Sequence, residues 1–304
     1  MKRIAILGGS HFIGTHLLFA LYRQGYHITV YNRNSRKPPV PFPNGIKLII
    51  GDRNNPDDLT RLFQIEYDAV IDLSGYTPDH VLPIVTNYRS CIGHYIFCST
   101  PLTYKLPAQI PYNEESPRTF EENTYGGDKA LVEDILFIQY QDHQWPITIL
   151  RPQGVFGPYD PWQAGFIYYR LIYSLPIFVF PESKYRINPL FVDDLISAFL
   201  SCIQNPISYG QAYGVAGDDI LSNVEFIELC GEISSLQPNL SPIKTPDSYE
   251  KYEIGKSWFE FDNVADCSKI KSALDIKFTN VDNALKKTFS WLKDNPSYLE
   301  NYSK

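Results

Sequence analysis

The chain has 304 residues, 44% hydrophobic and 20% charged, which excludes bulk disorder and is enough for one large α/β unit or two smaller ones. Its formal charge of −7 argues against nucleic acid as the main partner, because phosphate binding needs a basic footprint. Five cysteines without a Cys-x-x-Cys pair, six histidines without ligand spacing, and an N-terminal apolar run too short for a span point to a reduced, cytoplasmic protein with no metal and no membrane anchor.

The first apolar run, RIAIL, enters a turn made of Gly8, Gly9, Ser10, His11, Phe12, Ile13 and Gly14, after which a helix is expected from Thr15. Small residues in such a turn let backbone N–H groups approach a pyrophosphate at a helix N-terminus, so the whole turn is assigned to a dinucleotide. His11 stands where a third small residue is expected, and its basic ring is itself suited to a phosphate. The second strand, HITVYN, leads into Asn32, Arg33, Arg36 and Lys37. An acidic residue there would bond the ribose 2′-hydroxyl of NAD; arginine accommodates the 2′-phosphate, so NADP is expected, with NAD as the lesser option. KPPVPFP at 37–43 reads as an extended loop.

IKLIIG, DAVIDLS, HYIFCS and ITILRP continue the apolar runs, with helical patterns such as NPDDLTRLF between them. This alternation predicts a Rossmann-type, doubly wound parallel α/β sheet, with six strands by about residue 152 and the ligand at their carboxyl ends. The fifth strand ends Cys98-Ser99-Thr100, where a hydroxyl can polarise a carbinol or carbonyl. On the next helix Tyr125 and Lys129 lie four apart and share a face, and a neighbouring ammonium favours the phenolate. Each piece recurs by chance. Their order does not.

Past Pro152 the pattern loosens into GPYDPWQAGF and a proline- and aromatic-rich stretch. The expected division is a dinucleotide-binding unit over 1–152, with a return segment at about 188–209, and a smaller, interleaved C-terminal substrate unit over 153–304. Asp193 and Asp194 are expected to cap a helix from about Leu195. Tyr76, Trp162, Tyr168 and Tyr169 fit either a pocket or the core, and the core is the commoner place for such aromatics. The tail from Asp262 reads as helical.

Taken together, these motifs resemble the extended short-chain dehydrogenase/reductase group, also called the NAD-dependent epimerase/dehydratase family, over nearly the whole chain. The resemblance places the family's glycine turn at Gly8 and Gly14, its Asp at Asp52 and its small residues at Ser74 and Gly75. Arg53, Leu73 and, in RPQGVFGP, Pro152 complete the expected cofactor contacts, together with Tyr125 and Lys129. The catalytic set it implies is Thr100, Tyr125 and Lys129. Within the family the turn is similar to a subgroup reading GGT, a basic residue, then FIG, which includes chloroplast stem-loop binding proteins and bacterial reductase- or epimerase-like proteins.

Two departures matter. Gly154 stands where nucleotide-sugar enzymes usually carry an Asn, and Thr100 is followed by Pro101 and Leu102 instead of the Asp-Glu of the 4,6-dehydratases. Dehydration is thus the least favoured reaction. The resemblance implies an NAD(P)-dependent oxidoreductase or epimerase working on a carbinol or ketone carbon of a sugar nucleotide or related polar small molecule, in a homodimer, with Arg186 as a further substrate contact. The alternative is a catalytically reduced binding protein of the same fold that contacts RNA or protein.

Overall fold

A computed structural model describes residues 1–105, 109–179, 185–242 and 261–302. Six strands carry the predicted apolar runs: β1 (Arg3–Leu7), β2 (His27–Asn32), β3 (Lys47–Ile50), β4 (Ala69–Asp72), β5 (Tyr95–Cys98) and β6 (Ile147–Pro152). A seventh, Gln211–Val215, pairs with β6, and the sheet runs in the order Gln211–Val215, β6, β5, β4, β1, β2, β3, every pair parallel. Ile4, Ala5, Ile6 and Leu7 are all fully buried, as a central strand covered on both faces requires. The order reverses between β1 and β4, and this switch point is where a doubly wound sheet opens a crevice at its carboxyl edge.

Helix α1 (Ile13–Arg23) buries Leu17, Leu18 and Leu21 against one face. Helices α2 (Pro56–Leu62), α3 (Pro78–Asn87) and α4 (Tyr125–His143) follow β3, β4 and β5. Asn55 caps α2 by accepting from Asp57 N, and Thr124 caps α4 by accepting from Gly127 N at 3.1 Å. No described helix is long and apolar enough to cross a membrane.

The second half supplies α5 (Ala164–Ile172), α6 (Val192–Cys202), α7 (Asn223–Ser234), α8 (Ser268–Leu274) and α9 (Val281–Asp294), with α5, α7 and α9 packed together. Tyr168 stacks on Phe289 at 4.5 Å and is core; Tyr169 packs on Tyr173 at 4.8 Å. The 188–209 segment runs from a short strand, Leu190–Phe191, into α6, which packs on α1 and β6, and the chain rejoins the sheet just beyond it at Gln211–Val215. α6 also begins at Val192, three residues before the expected start, so Asp193 and Asp194 do not cap it. Asp193 meets His16 Nδ1 at 3.3 Å and Asp194 accepts from Thr279 N at 2.7 Å, so both carboxylates tie α6 to distant segments.

Candidate active site

The carboxyl edge of β1–β5 encloses a cleft of about 530 Å³. Its floor is the glycine turn. Gly8 has φ +94°, and a Cβ there would stand 2.8 Å from Ser74 Cβ, so only glycine lets the β1 and β4 ends approach. A Cβ on Gly14 would fall 2.7 Å from the Gly9 backbone, which is how the turn closes against α1. The first turn of α1 holds no acidic residue, and Phe12, at φ +35°, gives it no side-chain cap. Gly14 N is bonded to the His11 carbonyl at 2.8 Å, so the turn closes on itself and leaves the start of α1 without a side-chain cap, a cradle that fits a dinucleotide.

Of the residues expected to touch a cofactor, Gly8, Ser10, His11, Phe12, Ile13 and Gly14 line the cleft, as do Asn32, Arg33, Arg36, Asp52, Arg53, Leu73 and Ser74. Gly9 is not on its wall but packs inward, where a Cβ would meet Ile6 at 3.0 Å; Gly75 backs onto the Asp72 carboxylate, and Pro152 pairs within the sheet. Sequence reasoning missed Tyr31, Asn34, Ser35, Gly51, Asn54, His80 and Cys98 as lining residues, and treated Tyr76 only as an open case. The signal for most of them was position, since they flank the assigned strand ends.

Three side chains have roles the sequence did not give. Arg53 is nearly buried, and its guanidinium is spent on Asp72 (3.0 and 2.8 Å), Ser74 Oγ (3.1 Å) and the His80 carbonyl (3.4 Å). It fastens the β4 end to the β3 end and brings little free charge to the cleft. Asn32 donates to Ser10 Oγ and accepts from Asn34 N, which ties β2 to the glycine turn. Burial, then Arg36, holds the His11 imidazole below its ordinary value, so it meets a ligand at neutral pH as a neutral hydrogen-bonding ring.

Beyond the β4 end, the Tyr76 ring leans on Tyr125 at 6.1 Å, and Lys129 Nζ lies 5.2 Å from the Tyr76 ring. This joins the cleft to the expected catalytic set. Tyr125 opens α4 and is half exposed; Gly126 and Gly127 follow because a Cβ on either would run into the carbonyl of Leu102 or of Glu121. The two glycines let both flanking loops clasp the start of the helix. Thr100 stands beside the Tyr125 phenol, and its hydroxyl accepts from Leu102 N at 3.3 Å. Lys129, almost wholly buried, donates to the Cys98 carbonyl at 2.6 Å and sits 4.4 Å from the Phe97 ring.

Lys129 Nζ lies 5.9 Å from the Tyr125 ring while it donates to the Cys98 carbonyl at 2.6 Å. Burial is the main cause that raises the Tyr125 phenol above its ordinary value, with Cys98 and Tyr76 adding to it, and the neighbouring Thr100 hydroxyl lowers it. Tyr125 is a protonated acid at neutral pH. Burial also lowers the Lys129 ammonium and pushes the Cys98 thiol up to about 11, so that thiol is a poor nucleophile.

Below this set lies a buried charge network. Glu133, two turns after Tyr125 on the same face of α4, accepts from Ser99 Oγ (2.5 Å) and from Arg151 at 2.9 and 2.6 Å, with Arg118 at 3.1 Å. It locks the ends of β5 and β6 to α4 and so fixes the backbone that carries Thr100. Arg186 is exposed and paired with Asp262 at 2.9 Å; it opens onto solvent more than onto the cleft. Trp162 is also exposed.

The model of the NAD dependent epimerase/dehydratase family matches residues 4–216, and the chain belongs to that family, as its motifs suggested. It is 27% identical over 248 residues to the chloroplast stem-loop binding protein of 41 kDa b of Arabidopsis thaliana, covering 76% of this chain and 63% of that protein. It is also 27% identical over 193 residues to a UDP-glucose 4-epimerase of Neisseria meningitidis serogroup B, covering 55% of this chain and 56% of that one. The chain thus spans less than two thirds of the curated relatives it matches.

Solved structures share the fold. A UDP-glucose 4-epimerase from Thermotoga maritima, solved with UDP-glucose, superposes with a TM-score of 0.83 at 18% identity over 97% of this chain and 99% of that chain. A dTDP-glucose 4,6-dehydratase from Bacillus anthracis, solved with NAD, gives 0.84 at 16% over 99% and 100%.

Proposed function

We propose that this member of the family is an NADP-dependent oxidoreductase or epimerase acting at a carbinol or ketone carbon of a sugar nucleotide or related polar small molecule. The observation that carries the reading is that Tyr76, on the wall of the cleft, packs against Tyr125 (6.1 Å) and Lys129 (5.2 Å), which stand behind that wall and are not part of its lining. The glycine turn at the start of α1 would hold the pyrophosphate, and Arg33 and Arg36 the 2′-phosphate. A bound nicotinamide supplies the hydride acceptor or donor. Tyr125, protonated, gives its proton to the substrate oxygen in the reducing direction, Thr100 orients that oxygen, and Lys129 holds the β5 end and offers its remaining N–H groups to a ribose. Dehydration stays disfavoured, because Pro101 and Leu102 supply no acid–base pair after Thr100.

The test is to load the protein with NADPH, add a panel of UDP- and dTDP-sugars and simple polar ketones, and follow nicotinamide fluorescence. Turnover that Tyr125→Phe abolishes supports the reading; turnover that survives this substitution removes Tyr125 from its role. The reading also places the protein in the cytoplasm as a homodimer.

A second reading is favoured by the likeness to the stem-loop binding protein: a binding module that keeps the fold for RNA or protein contact. The charge of −7 opposes it. A stem-loop RNA that shifts at low salt and is released by added salt would favour that module over the enzyme.

A further inference from the structure

Lys129 is 1% exposed, and three rings surround its ammonium: Phe97 at 4.4 Å, Tyr76 at 5.2 Å and Tyr125 at 5.9 Å, with the Cys98 carbonyl at 2.6 Å as its acceptor. A cation among aromatic faces is held there by their quadrupoles. The lining of the dinucleotide cleft includes Tyr76 but neither Lys129 nor Tyr125. The Tyr76 ring is thus the wall behind which that pair stands, and a ribose in the cleft meets the ring before it meets the ammonium.

The groups around Lys129 differ in their freedom to move. Phe97 is fully buried within β5, and Cys98, which also faces the cleft, is the last residue of that strand, so neither can withdraw. Tyr76 lies in the short link from β4 to α3 and is 47% exposed, with solvent to turn into. Its backbone is fixed, because Tyr76 N donates to His80 Nδ1 at 3.1 Å in the first turn of α3 and Thr77 follows as the extended residue that begins the helix. Its side chain is held by ring contacts, edge-on to His80 at 6.2 Å and tilted against Tyr125 at 6.1 Å, and by the Lys129 cation. The ring can turn while the chain stays in place.

We infer that Tyr76 is a gate between the dinucleotide cleft and the Tyr125–Lys129 pair: the nicotinamide half of the nucleotide reaches the pair when the ring turns out to solvent, whereas the adenosine half binds with the ring in place. The inference rests on the proposed oxidoreductase or epimerase reading and adds a step at its nicotinamide end. The adenosine half is served by Arg33 and Arg36 beyond β2. A gate that is mostly closed lowers the apparent affinity for NADPH by the fraction of molecules in which it is open, and leaves a ligand without nicotinamide untaxed.

Calorimetric titration with two probes tests this: NADPH, and adenosine 2′,5′-bisphosphate, which carries the adenosine and its phosphates but no nicotinamide. In Tyr76→Ala, NADPH is expected to bind about three- to tenfold more tightly than in the unsubstituted protein, the scale of the ring contacts that hold the gate shut, with the bisphosphate unchanged. Tyr76→Phe keeps the ring and should match the unsubstituted protein with both probes. NADPH affinity that is unchanged or weaker in Tyr76→Ala overturns the inference, because the ring is then a fixed wall or a seat for the nicotinamide. A gain shared by the bisphosphate overturns it too, since that reports a widened cleft, as does an equal gain in Tyr76→Phe, which assigns the effect to the hydroxyl. The dinucleotide reading fails separately, when neither probe binds the unsubstituted protein.

Discussion

The Thr100 hydroxyl lies beside the Tyr125 phenol across the gap between the end of β5 and the start of α4, and its presence opposes the burial that raises the phenol. The pair couples two elements that the sequence separates by a long loop.

Replacing Tyr125 by Phe should lower turnover by about 10²- to 10⁴-fold while leaving NADPH affinity within about threefold. Thr100→Val removes the lowering contact, so the pH at which turnover in the reducing direction declines should move upward. In the unsubstituted protein that decline is expected only above the ordinary phenol value of about 10, because the group must stay protonated to donate. Stopped-flow measurement of nicotinamide oxidation against pH checks both statements.

Arg33 and Arg36 line the cleft beyond the end of β2, where no acidic residue follows Asn32 until the loop is past. Substituting both by Ser should weaken NADPH by about 10- to 100-fold and leave NADH nearly unchanged, as the loss of charge-assisted bonds to a single phosphate predicts. Fluorescence titration of each nucleotide measures the difference.

Gly127→Ala places a methyl group against the Glu121 carbonyl, and something must shift. The expected cost is about 1–3 kcal/mol in denaturant unfolding, the range for overpacking. Turnover should fall further than stability alone accounts for, because the displaced start of α4 carries Tyr125. Unfolding and turnover measured on the same preparation separate the two effects.

Burial raises the Asp160 carboxyl from its ordinary range up to about 7, against the backbone N–H groups that lower it. A folded value above the unfolded one means that the folded state holds the proton more tightly. The stability from this group is thus complete below about pH 4 and is lost as pH rises through about 7. Asp160→Asn carries no such titration, so its stability relative to the unsubstituted protein should increase from pH 4 to pH 8 by an amount on the order of a few kcal/mol. Chemical unfolding at both pH values reads the slope; a flat or falling difference contradicts the assignment.

Much of the fold was legible because its strands are continuous apolar runs between helical repeats, and β1 is the clearest: four consecutive buried residues entering glycines. The shared face of Tyr125 and Lys129 followed from helical spacing alone. What was not legible depends on partners distant in the chain. Arg53 reads as a free cation until Asp72, 19 residues on, takes its charge, and Asp194 reads as a helix cap until Thr279 arrives from 85 residues away. Lys129 could be placed beside Tyr125 by spacing, but only the fold shows its ammonium turned to the Cys98 carbonyl. Tyr76 was equally consistent with core or cleft, because an aromatic side chain after a strand carries no sign of which face it covers until the neighbouring helix is in place.

The central claim, that GGSHFIG and the residues around it form a working dinucleotide site, is tested most directly by calorimetric titration of the nucleotide-stripped protein with NADPH and with NADH. The account predicts micromolar binding with NADPH clearly preferred. Binding of neither nucleotide would contradict it, mark His11 as the sign of a lost cofactor site, and leave the binding-module reading as the better account.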